Sequence, residues 1–109
     1  KGIEGVAQIK AMLDNLRANP PKEIGGYKVL EARDYDNDVI VYDDGHTSPT
    51  GLPKSNVVYY SLEDNAWCCA RPSGTEPKIK FYMGVKGTSF EDANNKLENL
   101  KNSMMDLVQ

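Results

Sequence analysis

From Lys78 to Lys86 the chain alternates: Ile79, Phe81, Met83 and Val85 take one side of an extended strand, and Lys78, Lys80, Tyr82 and Lys86 take the other. A period of two marks a strand with one greasy face. It requires a sheet, and it requires an apolar cover for one side of that sheet while the other side meets water. The cover is legible on both flanks. Phe90, Ala93, Leu97, Leu100, Met104 and Leu107 recur at intervals of three and four, the stripe of an amphipathic helix. Thr88 or Ser89 can cap it, with Glu91 or Asp92 as the reciprocal partner. Val6, Ile9, Leu13 and Leu16 form a second stripe, which Pro20-Pro21 ends near Asn19. Both stripes are expected to face the core.

Three more strands are expected, at Tyr27 to Asp34, Val57 to Leu62 and Ala66 to Arg71. The last two are joined by Glu63-Asp64-Asn65 into an antiparallel hairpin. The order is helix, four strands, helix. A chain of 109 residues, 39% hydrophobic and 27% charged, reads as one globular domain with a single modest core, residues 1–109. A formal charge of −3 argues against a nucleic-acid partner. No apolar run is long enough to span a bilayer, and no signal peptide is visible. The chain starts at Lys1 and contains no self-contained active site, which reads as a piece excised from a larger protein. Cys68 and Cys69 are adjacent, with Cα atoms about 3.8 Å apart, so a bridge between them would be strained. Reduced thiols pointing to opposite strand faces, in a cytoplasmic protein, are expected.

Chemistry concentrates where the hairpin meets the last strand. Arg71-Pro72-Ser73-Gly74-Thr75-Glu76-Pro77 runs directly into Lys78-Ile79-Lys80-Phe81-Tyr82. Arg71 offers a planar fork that can meet two phosphate oxygens. Gly74 can take positive φ, which lets successive backbone N–H groups converge on one anion. Ser73 and Thr75 can each donate a hydroxyl hydrogen bond, and Lys80 adds a second cation. Read from chemistry alone, the segment is either a phosphate site or an ordinary polar turn, because Ser, Gly, Thr and Pro are turn residues too.

The string itself resembles the phosphate-binding loop of the C-terminal domain of the α-D-phosphohexomutases, closest to bacterial phosphoglucomutases and phosphomannomutases. The resemblance extends through Leu52-Pro53-Lys54-Ser55-Asn56-Val57 and Leu62-Glu63-Asp64-Asn65-Ala66-Trp67 to the C-terminal helix, covering roughly residues 50–109. It implies a small α+β domain like the TATA-box-binding protein, a four-stranded antiparallel sheet with two helices on one face. It implies that Arg71, Ser73, Gly74, Thr75 and Lys80 bind a substrate phosphate, of glucose or mannose phosphates or a hexose 1,6-bisphosphate. It places the phosphoserine and the magnesium in other domains of the same enzyme, so this chain carries no catalytic residue, no metal and no mutase activity alone. Glu76 is expected to point away from a phosphate, toward a cation or a sugar hydroxyl.

Two features invite other readings. Asp34, Asp36 and Asp38 suggest a metal loop, but an EF-hand needs Gly and Glu where Val39 and Gly45 stand, and Val39-Ile40-Val41 does not match the family's magnesium loop. The run is expected to end a strand and stay solvated. Residues 43–56, rich in Gly, Ser, Thr and Pro, form a long connection expected to lie near a neighbouring domain, with His46 a solvated loop residue. The alternatives are a stand-alone module for a phosphorylated ligand or nucleic acid, and a plain structural domain. An RNA-binding sheet needs exposed aromatics amid basic residues; Tyr82, Trp67 and a tyrosine of the second strand are the candidates here.

Overall fold

The computed structural model describes residues 2–108, with side chains for 5–108. The chain runs α1 (Gly2–Ala18), β1 (Glu23–Ile24), β2 (Tyr27–Asp34), β3 (Val39–Tyr42), β4 (Thr47–Ser48), β5 (Val58–Leu62), a 3-10 turn at Glu63–Asn65, β6 (Trp67–Pro72), β7 (Ile79–Gly84) and α2 (Phe90–Leu107). All strand pairs are antiparallel, in the spatial order β4-β3-β2-β5-β6-β7, and β1 pairs with β2 alone. The class is α+β with two helices, as expected, but the sheet has seven strands among the described residues, not four. The four anticipated strands form its β2-β5-β6-β7 part. β3 escaped notice because four apolar residues are too few to show a period. β4 is two residues inside a turn-rich segment, and pairing with β3 alone makes it a strand.

One face of the sheet builds the core. Val58, Tyr60 and Leu62 of β5 and Cys68 and Ala70 of β6 are buried beneath Ile9, Leu13 and Leu16 of α1 and Leu100 and Met104 of α2. Ile79, Phe81 and Met83 of β7 pack against the same cluster, so the alternation read from sequence holds. Cys68 lies in this core with Sγ 3.5 Å from Met104 Sδ, and burial beside Cys69 pushes its thiol up to about 12. Cys69 faces the other way, and both thiols are free.

The helical stripes face the core only in part. Val6 is 61% exposed and Phe90 83%. Periodicity identifies the side of a helix that meets the sheet, but not how far along its length the sheet extends. The cap is as read: Ser89 Oγ accepts the Asp92 N–H at 3.0 Å, and the Asp92 carboxylate accepts the Thr88 N–H at 2.9 Å.

The acidic run departs from expectation at its first member. A register shift between Val29 and Glu31 turns Asp34 to the helix side, opposite Val58. There Arg17 Nε donates to Asp34 Oδ1 at 3.0 Å, and the two side chains are only 11% and 13% exposed. Asp34 is thus paired, not solvated. Its partners Asn37 and Asp36, through side-chain and backbone N–H groups, and Arg17 outweigh the opposing effect of burial and hold its pKa below the usual carboxylate range. Asp38 instead accepts from Thr50 and Gly51, and Asp36 lies 3.9 Å from Lys54. The three carboxylates diverge, so the run forms no metal cage.

A depressed native pKa contributes stability above the unfolded value of about 3.9, and that contribution fades as pH falls through the native value. Asp34→Ala is expected to cost about 2 kcal/mol at pH 7, since it removes the largely covered carboxylate partner of a largely covered guanidinium and leaves it Asn56 and the more exposed Asp14. In urea unfolding, the gap between the two proteins should narrow below about pH 4. A gap that stays constant down to pH 2 would show that the pair is not the source.

Candidate functional site

The opposite face of the sheet carries the polar chemistry. β6 and β7 are joined by residues 73–78, a hairpin loop closed by Ser73 N–H donating to Lys78 O at 2.9 Å and tightened by Lys78 N–H donating to Glu76 O at 2.8 Å. Gly74 sits at φ 86°, where a Cβ would be strained. Among the described residues, the Gly74 and Thr75 N–H groups enter none of the backbone bonds that close this loop. Ser73 Oγ and Thr75 Oγ1 are 3.3 Å apart, so two hydroxyls sit beside each other on one side of the loop. Residues 74–78 are exposed.

The strands bring both cations to the mouth of this loop. Arg71 and Lys80 are direct cross-strand partners, one pair back from Pro72 and Ile79, and their common parity puts both on the open face. Arg71 leans toward β7, where Nη2 donates to Tyr82 Oη at 3.0 Å and the guanidinium stands 5.4 Å from the ring centroid. Glu76 finds its cation in Lys78, 3.6 Å away. The five residues singled out in the sequence, Arg71, Ser73, Gly74, Thr75 and Lys80, therefore share one end of one hairpin.

Further down the same face lies an aromatic floor. Tyr59 and Trp67 stack with centroids 5.8 Å apart and planes 9° from parallel, and Arg33 lies 6.0 Å from the Tyr59 centroid. Trp67 can lie flat because Gly84 is its cross-strand partner: a Cβ there would sit 2.4 Å from its Nε1. The sequence points to Tyr82, Trp67 and a tyrosine of the second expected strand as the candidates for an exposed aromatic face, and Tyr59 is that tyrosine. Trp67 shares its parity with Arg71 along β6, while placing Tyr59 and Tyr82 beside them takes the register of the neighbouring strands.

Other candidates lie elsewhere. His46 stacks on Tyr42 at 4.1 Å and bonds Asp44 through Nδ1, with its side chain 61% exposed, a solvated loop histidine as expected. An open groove of about 390 Å³ runs beside β2 and β3, lined by Pro20, Pro21, Val29, Val41 and Asp44 among others, and shares no residue with the 71–80 hairpin. Among the described residues no helix is long and apolar enough to cross a membrane, and no group of three or more His, Cys, Asp or Glu could hold a metal ion.

The hairpin and its flanks have known relatives. The chain is 43% identical over 98 residues to phosphoglucomutases of Staphylococcus aureus strains bovine RF122 / ET3-1 and USA300, a match covering 89% of this chain and 18% of theirs. With the phosphoglucomutase of strain N315 identity is 41% over 98 residues, with the same coverage. The chain thus spans under a fifth of the length of these relatives, consistent with the C-terminal domain of a phosphoglucomutase. No family model and no solved structure matches it.

Proposed function

We propose that this chain is the substrate-phosphate-binding C-terminal domain of a phosphohexomutase, one that interconverts hexose 1-phosphate and hexose 6-phosphate through a hexose bisphosphate. The relationship to phosphoglucomutase supports the reading, and it does not favour a stand-alone phospho-ligand or nucleic-acid module. The observation that carries it is the 73–78 hairpin loop, with Gly74 at φ 86° and Arg71 directly across from Lys80 at its mouth. Loop N–H groups left out of the loop-closing backbone bonds, two hydroxyls and two cations form a set suited to one phosphate and to nothing apolar.

In this reading the domain makes no bond. It grips the phosphate that is not reacting, and that remote grip orients the sugar for transfer from a phosphoserine in another domain. The enzyme works in the cytoplasm as an isomerase on glucose or mannose phosphates, a phosphoglucomutase or phosphomannomutase. Magnesium belongs to another domain; the Asp34 to Asp38 run, with its carboxylates committed elsewhere, offers it no seat. The remaining domains pack near residues 43–56. The fold is read as a TATA-box-binding-protein-like domain, on the strength of β2-β5-β6-β7 under two helices.

Each charge-assisted hydrogen bond nets about 1.5–3 kcal/mol, and association costs several kcal/mol of lost freedom. What survives is about −4 kcal/mol, a millimolar affinity for the chain alone. A ¹⁵N titration with glucose 1-phosphate should move the Ser73, Gly74 and Thr75 amides and saturate in that range, while unphosphorylated glucose leaves them unmoved. A loop indifferent to phosphate at about fifty times that concentration sinks the proposal.

A further inference from the structure

We propose that Tyr82 is a positioning residue that orders the Arg71 fork before any anion arrives, an inference that rests on the phosphate-binding reading above. Arg71 and Lys80 stand directly opposite each other on one face. Two like charges in that relation repel, and a long arginine so placed would swing into solvent. Tyr82 lies two residues beyond Lys80 on the same face, diagonal to Arg71. It supplies the missing restraint twice over. Its hydroxyl oxygen accepts from Arg71 Nη2 at 3.0 Å, and its ring lies 5.4 Å from the guanidinium carbon.

The third restraint comes from the chain itself. Arg71 Nη1 points to the carbonyl of Pro72 at 3.5 Å, the last carbonyl of β6 before the loop. The guanidinium is therefore stretched between Tyr82 and the mouth of the loop. A guanidinium carries five N–H donors, so most of the fork is left for a ligand. Because Tyr82 Oη accepts from Arg71, its own proton points elsewhere. Ordering a rotamer-rich side chain on binding is a cost that this arrangement meets in advance.

The test is ¹⁵N spectroscopy on this chain with glucose 1-phosphate as the probe. Tyr82→Phe keeps the ring and deletes the acceptor; Tyr82→Leu deletes both. Phe is expected to weaken binding about threefold and Leu about tenfold, with unchanged thermal midpoints for Phe. The Arg71 Nε–Hε resonance should show a rigid side chain in the parent and a mobile one in each variant, which a merely structural residue would not produce. Equal binding by parent and Tyr82→Phe, with the loop amides still responding, overturns the positioning role and leaves the phosphate reading intact. Weakened binding with Arg71 still rigid overturns it too, because Tyr82 would then be touching the phosphate itself. A parent chain whose loop ignores the probe removes both.

Discussion

Arg71→Ala is expected to erase the phosphate response of the chain. The fork supplies two parallel charge-assisted bonds, each worth about 1.5–3 kcal/mol, so their loss weakens binding by at least about a hundredfold. From a millimolar start, that moves the midpoint out of reach of a titration. Arg71→Lys keeps a point charge without the planar pair and should recover part of the affinity only. Neither substitution reaches the core, because Arg71 stands on the open face with Tyr82. Melting should therefore reflect no more than one exposed cation–π pair and one exposed hydrogen bond to Tyr82, about 1–2 kcal/mol together. Undiminished loop shifts in Arg71→Ala would assign the phosphate to Lys80 and the loop amides alone.

The second large effect concerns two adjacent tyrosines. Tyr60 is 2% exposed in the centre of the core, flanked across the sheet by Ala32 and Cys68. Tyr60→Ala removes a whole ring from close-packed surroundings and should cost about 3–5 kcal/mol. A domain of this size holds about 5–15 kcal/mol in total, so the melting temperature should fall by more than about 10 °C. Tyr59 points the other way and stacks on Trp67. Tyr59→Ala should cost only about 1 kcal/mol, the worth of an aromatic pair beyond its burial. Thermal unfolding of both by circular dichroism checks the assignment of faces. Similar losses in the two variants would mean that the open face is as covered as the core.

Much of this arrangement was written in short-range pattern. The alternation through Ile79, Phe81 and Met83 identified the buried face of β7, and the Leu100 and Met104 spacing identified the helix side that covers it. Arg71, Ser73, Gly74, Thr75 and Lys80 could be singled out because they are near neighbours along the chain, whereas the pairing that sets Arg71 opposite Lys80 is a fact of register. What stayed hidden depends on register. β3 and β4 exist through pairing, not composition. Asp34 meets Arg17 only because the chain slips by one residue near Leu30, which no local preference announces. Tyr82 meets Arg71 because Cys69 pairs with Tyr82 and Arg71 with Lys80, a register that the hairpin loop between them sets and composition does not show. Exposure at Val6 and Phe90 was invisible for a related reason, since a stripe does not say where its sheet stops.

Among the described residues β7 is the last strand in its row, so one side of its backbone has no partner strand there. Such a rim is a template on which a second copy can add its own strand. Lys80 stands within this strand, and Lys78 and Lys86 flank it. Two such rims brought side by side would face lysine with lysine, and that repulsion would oppose their pairing. The charge that would greet a phosphate would thus also guard the rim against self-association. A chain whose Lys80 is replaced by an apolar residue loses both at once, and its first symptom is turbidity.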